Sequence, residues 1–171
     1  YFGSAASSVF ASTRLISSKS LTAYADFPMP REWPAYPGHA QCLAYLRSYA
    51  RHFGLLPHIR SRTPVERIEP VPGGGWCVRA AGRAPREYAG VVIATGHNRV
   101  PLRPDIPGTF TGTLLDACDY KSPTVPVPLA GRRVLVIGGG NSACDIAVDV
   151  SAHAATTVLS RRRGYFLVPR F

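Results

Sequence analysis

Gly138, Gly140 and Ala143 stand at the spacing G-x-G-x-x-A inside "RRVLVIGGGNSACDIAVDV", residues 132–150. Small residues at that spacing do three separate things where a dinucleotide binds. The first makes a tight turn, the second lets backbone approach a pyrophosphate, and the third lets a helix pack closely on a strand. The phosphates then sit at the helix N-terminus, where unpaired N–H groups and the dipole favour an anion. About 20 residues further on, such sites carry an acid for a ribose 2′-OH or an arginine for a 2′-phosphate. Here the chain has Arg161, Arg162 and Arg163 and no acid nearby. That pattern favours NADP(H) over NAD(H), although three consecutive side chains cannot all face one phosphate. A glycine-rich turn in an α/β core and a solvated arginine turn are the plain structural alternatives.

The elements that must position these residues are legible around them. Val134 to Ile137 is a wholly apolar run that predicts a strand, and Ala143, Ile146, Ala147 and Val150 line one face of a helix. The β-branched "TTVLS", Thr156 to Ser160, predicts a second strand and completes a β-α-β unit. Upstream, Leu43, Leu46, Ala50 and Phe53 recur at helical spacing from His39 to Phe53, with Gly54 as the stop. Short runs at Val65–Ile68, Trp76–Ala80 and Arg86–Tyr88, with a turn at 72–75, predict a small antiparallel meander. "VVIATG", residues 91–96, reads as a strand buried on both faces. From 97 to 131, prolines at 101, 104, 107, 123, 126 and 128 predict a connection without long regular elements.

Composition narrows the function classes. The 171 residues are 46% hydrophobic and 18% charged, as in a globular protein, and no apolar run approaches the roughly 18 residues of a membrane span. The Ser-rich opening lacks the apolar centre of a signal peptide. A net charge of +10 raises nucleic acid as a partner, but the 20 cations are dispersed, apart from the run at 161–163, and only Lys19 and Lys121 are lysines. No nucleic-acid face is expected. Cys42, Cys77, Cys118 and Cys144 are far apart, without C-x-x-C or clustered histidines, so no metal site is expected and the thiols read as reduced, in a cytoplasmic protein. No Ser-His-Asp grouping or carboxylate pair proposes another reaction.

Taken in order, "DFPMPREWPAYPGHAQCLAYLRSYARHFGL", "WCV", "VVIATGHNRVPLRPDIPGTFTG", "CDYKSP", "RRVLVIGGGNSACDIA" and "VLSRR" resemble the flavin-containing monooxygenases, from about Val9 to Phe171. The resemblance implies an α/β protein with two Rossmann-like domains, one for FAD and one for NADP(H), both incomplete in this chain. Residues 1–98 are then part of the FAD domain, 99–130 the interdomain connection, and 131–171 the start of the NADPH domain. The family's first G-x-G-x-x-G is expected upstream of Tyr1 and the remainder beyond Phe171. Residue by residue, it puts Gly138, Gly140, Asn141, Ser142, Ala143, Cys144 and Asp145 around the NADPH diphosphate and Arg161 or Arg162 at the 2′-phosphate. Thr95 and Gly96 match the segment lying against FAD, and Val65 the residue whose backbone meets adenine.

The implied activity is transfer of one oxygen atom from a flavin hydroperoxide to a soft nitrogen or sulfur, or insertion beside a carbonyl, in a small-molecule substrate. An FAD/NADPH oxidoreductase without oxygenase activity and a non-catalytic nucleotide-binding remnant remain the alternatives. Two departures favour the first of these. In the fingerprint F-x-G-x-x-x-H-x-x-x-Y/F, Phe110, Gly112 and Tyr120 match, but Asp116 replaces the histidine. In "RLISSKS", Ile16 replaces an asparagine that contacts flavin and NADP, leaving Ser17 and Ser18 as polar neighbours.

Overall fold

The computed structural model describes residues 7–96 and 101–164. Two units emerge, one from Tyr1–Tyr49 with Arg99–Phe171 and one from Ala50–Asn98. In chain order the elements are α1 (Lys19–Thr22), α2 (His39–His52), β1 (Val65–Pro70), β2 (Trp76–Ala80), β3 (Arg86–Tyr88), β4 (Arg133–Ile137), α3 (Asn141–Ser151) and β5 (Thr156–Ser160). A 3-10 turn covers Leu56–His58. No helix among the described residues is long and apolar enough to cross a membrane.

In the first unit β4 and β5 pair in parallel, from Arg133 opposite Thr156 to Ile137 opposite Ser160, with α3 between them in the chain. This is the expected β-α-β unit. Side chains alternate across the strands, so Val134 and Val136 pack towards α3 while Leu135, Ile137 and Val158 remain exposed on the other face. The core joins Ile146 and the fully buried Val150 of α3 to Phe10 and Tyr120, with Leu115 and Leu129 packed against it. Burying a valine of this kind contributes about 1.5–3 kcal/mol. Among the described residues from 101 to 131 no helix or strand forms, as the prolines predict.

Helix α2 forms as expected, but its buried face is not the expected one. Cys42 and Tyr45 are buried, whereas Leu46 and Phe53 of the predicted stripe are exposed. Aromatic packing decides this. Tyr24 stacks on Tyr45 and meets Tyr49 at a ring-centroid distance of 4.4 Å, and Phe27 packs against both helix tyrosines. The Tyr45 hydroxyl accepts from the Tyr24 amide (2.8 Å) and donates to the Phe27 carbonyl (2.7 Å). A tyrosine with both ends satisfied is a better buried anchor than a leucine that leaves those groups unpaired.

In the second unit β1, β2 and β3 form the predicted antiparallel meander in that order, with an irregular register between Val65 and Arg67. Gly75 is required at its turn: its φ is +93° and a Cβ there would lie 2.9 Å from the Tyr88 carbonyl oxygen. The expected strand at 91–96 is absent. Those residues are irregular, and Val92 and Ile93 are 91% and 74% exposed. A strand buried on both faces exists only where neighbouring strands satisfy its backbone, and among the described residues no strand pairs with this segment.

Candidate dinucleotide-binding site

The turn between β4 and α3 has the geometry its glycines imply. Gly138 has φ +139°, which side chains rarely adopt, and a Cβ there would lie 3.4 Å from the Ala143 Cβ. Both residues are therefore small because strand end and helix approach closely. Gly140 caps α3 with φ −81° and ψ 177°, no side chain caps the helix, and a Cβ at Gly140 would meet nothing within 4 Å. The Cys144 amide bonds the Gly140 carbonyl at 3.1 Å. The amides of Asn141, Ser142 and Ala143 precede it at the open N-terminus of an 11-residue helix. Asn141 and Ser142 are exposed, while Ala143, Cys144 and Asp145 are half-buried.

The arginine run lies beside this turn. The Gly138 amide donates to the Ser160 carbonyl at 2.9 Å, and Arg161 follows Ser160 directly. Ile137 and Ser160 are partners in the parallel pair, so the glycine turn and exposed Arg161, Arg162 and Arg163 leave the same sheet edge. The open amides and the space before α3 can take an anion such as a diphosphate, and the run of three arginines after β5 adds positive charge at the same end of the strand pair.

The other three expected cofactor residues do not come together in one cradle. Val65 opens β1 and lines a shallow cavity of about 200 Å³ with Arg60, Val78, Arg83, Arg86 and Tyr88, whereas Thr95 and Gly96 lie outside it in exposed irregular chain.

Residues 3–171 match the model of the family described as flavin-binding monooxygenase-like. The chain belongs to that family. It is 35% identical to human (Homo sapiens) flavin-containing monooxygenase 5 over 175 residues, which cover 95% of this chain and 32% of the relative. The rabbit (Oryctolagus cuniculus) dimethylaniline monooxygenase [N-oxide-forming] 2 is 34% identical over 174 residues with the same coverage. The chain thus spans about a third of the length of the curated relatives it matches. Among solved structures, the flavin-containing monooxygenase from Stenotrophomonas maltophilia superposes with a TM-score of 0.83 at 31% identity, covering 97% of this chain and 49% of the other. The S-allyl-L-cysteine S-oxygenase of Allium sativum also gives 0.83, at 26% identity over 96% of this chain and 39% of its own. The fold is accordingly α/β and of the Rossmann type that flavin monooxygenases use.

Within this flavin monooxygenase relative, the substituted fingerprint position is an ion pair. The Arg103 guanidinium grips the Asp116 carboxylate through Nε, at 3.0 Å from each oxygen, and through Nη2 at 2.6 Å from Oδ2. The hydrogen bond from Arg103 holds the Asp116 carboxyl below its ordinary value, against some desolvation. A depressed carboxylate contributes stability above its unfolded value, near 3.9, and loses it as pH falls through the lower folded value. The difference in melting temperature between the wild type and Arg103→Met is therefore expected to be small but constant from pH 8 to 5, shrinking only below about pH 4. A difference that appears or vanishes between pH 6 and 7 would contradict this assignment. Cys118 and Asp119 offer ligand atoms within 4.8 Å of Asp116, but with the Asp116 carboxylate held by Arg103 this group argues no metal.

The serines beside Ile16 are engaged locally: Ser17 Oγ lies 2.8 Å from Thr22 Oγ1, Ser18 Oγ lies 3.0 Å from Ser20 Oγ, and Ile16 itself is exposed. Sequence reasoning passed over Lys19, whose ammonium donates to the carbonyls of Pro30 (3.0 Å), Arg31 (2.7 Å) and Trp33 (2.5 Å) and so closes the loop after α1. It also passed over Asp149, whose Oδ2 accepts from the Tyr120 hydroxyl at 2.7 Å and whose only sequence signal was an acid next to the buried Val150.

Proposed function

We propose that the protein containing this chain is an NADPH- and FAD-dependent monooxygenase of small molecules carrying a soft nitrogen or sulfur. One observation carries the reading: an uncapped helix N-terminus behind Gly138 and Gly140, hydrogen-bonded through Gly138 to the strand that opens into Arg161–Arg163. In this reading Gly140 and the amides of Asn141, Ser142 and Ala143 hold the diphosphate, Cys144 and Asp145 complete the first turn of α3, and Arg161 or Arg162 pairs the 2′-phosphate. Val65, Thr95 and Gly96 are this chain's share of the FAD site, and residues 1–98, 99–130 and 131–171 belong to the FAD domain, the connection and the NADPH domain. This division follows the two cofactors rather than the packing units. Its four cysteines, none of them in a disulfide, fit a reducing, cytoplasmic setting.

The flavin, when bound, supplies the oxygen chemistry. Its overall balance takes substrate, NADPH, a proton and dioxygen to oxygenated substrate, NADP⁺ and water. The names of relatives that form an N-oxide or oxidise sulfur support the nitrogen and sulfur classes. The test is turnover of a tertiary amine and a thioether by the full-length protein under ¹⁸O₂. One labelled oxygen in the product per NADPH consumed is expected. Flavin reduction with hydrogen peroxide and no labelled product would replace the monooxygenase by an oxidase, and no flavin reduction by NADPH would leave a non-catalytic remnant.

A further inference from the structure

Tyr120 is 2% exposed, and its ring meets the Phe10 ring edge-on at 5.7 Å. Its hydroxyl donates to Oδ2 of Asp149, on α3, at 2.7 Å. Burial and the neighbouring carboxylate both hold the phenol protonated well beyond its ordinary range, so it remains a donor at any working pH. The backbone that carries Tyr120 is tied on both sides. The Tyr120 amide bonds the Asp116 carbonyl at 3.2 Å, the Lys121 carbonyl accepts from the Ala11 amide at 2.8 Å, and the Lys121 ammonium bonds the carbonyls of Cys118 and Ser7. Tyr120 is thus a fixed post standing against a helix.

The same helix begins at the proposed diphosphate turn. Asp149 lies eight residues beyond Asn141, about 12 Å down the axis at 1.5 Å per residue. The apolar contacts of Ile146 and Val150 resist separation of α3 from the core but are not directional, so they oppose rotation of the helix only weakly. A hydroxyl–carboxylate bond is short and directional. We propose that Tyr120 is a positioning residue for NADPH: by holding Asp149 it sets the rotation of α3, and with it the direction in which the amides of Asn141, Ser142 and Ala143 point. This rests on the reading of the turn as the NADPH site.

The experiment uses the full-length flavoprotein with Tyr120→Phe, Asp149→Ala, Asp149→Asn and the double variant Tyr120→Phe with Asp149→Ala. Tyr120→Phe keeps the ring against Phe10, so the core is preserved. It and Asp149→Ala are each expected to raise KM for NADPH about three- to tenfold, the range of remote coupling through one contact. The double variant is expected to be no worse than either single one, because both delete the same bond. Asp149→Asn keeps an acceptor and is expected within about twofold of wild type. Flavin content, and kcat at saturating NADPH, are expected to stay within about twofold as well. A Tyr120→Phe protein with a lowered melting temperature but an unchanged KM for NADPH would overturn the proposal and make the bond merely structural, as would multiplicative effects in the double variant. A wild-type protein that does not bind NADPH would instead overturn the reading of the turn itself, a failure visible without any variant.

Discussion

Replacing Arg161 and Arg162 together by alanine is expected to lower the preference for NADPH over NADH by about 10- to 150-fold. A charge-assisted bond to a phosphate contributes about 1.5–3 kcal/mol, and each 1.4 kcal/mol is a factor of ten. NADH lacks that phosphate, so its efficiency stays nearly constant while that of NADPH falls to meet it. Both arginines are exposed beside the strand end that receives the Gly138 amide. Steady-state kcat/KM with each cofactor on the full-length protein measures the change. Equal efficiency of the two cofactors in the wild type, or an unchanged preference in the double variant, would remove these arginines from the 2′-phosphate.

Gly140→Asp is expected to separate folding from binding. The backbone at Gly140 is extended, with φ −81° and ψ 177°, and a Cβ there has open space, so the aspartate fits without strain and is a favoured helix N-cap residue. Its carboxylate takes the amides that the diphosphate would use and adds a like charge. Losing two charge-assisted bonds at about 1.5 kcal/mol each weakens NADPH binding by at least about 100-fold. The melting temperature is expected to hold or rise. Gly138→Ala makes the contrast: φ +139° and the 3.4 Å approach to Ala143 strain any side chain, so this variant loses stability as well. A folded Gly140→Asp protein that still binds NADPH within about threefold of wild type would mean that the diphosphate lies elsewhere.

The candidate site was legible because its determinants are local. Gly138, Gly140 and Ala143 lie within one turn and helix start, β4 follows from a wholly apolar run, α3 from an apolar period of 3.6 and β5 from a β-branched run, all at their expected places. The meander was legible for the same reason, since its short extended runs flank the glycines at 73–75 that turn the chain. Where the structure differed, the deciding partner lay far away. The buried face of α2 was set by Tyr24 and Phe27, some twenty residues upstream of Tyr45, which turned the helix about one residue away from its leucines.

By itself, then, the sequence determined which segments are strands and helices around the glycine turn, where that turn leaves backbone amides open, and that arginine rather than an acid follows β5. Those properties reside in backbone sterics and side-chain period over a few neighbouring residues. Only the tertiary structure decided that Asp116 is held as a carboxylate by Arg103, that Tyr120 reaches Asp149 across 29 positions, and that residues 91–96 are left without a strand to pair with. Each depends on a partner brought near by folding, and a hydrogen bond or a strand pairing has no signature in either segment alone.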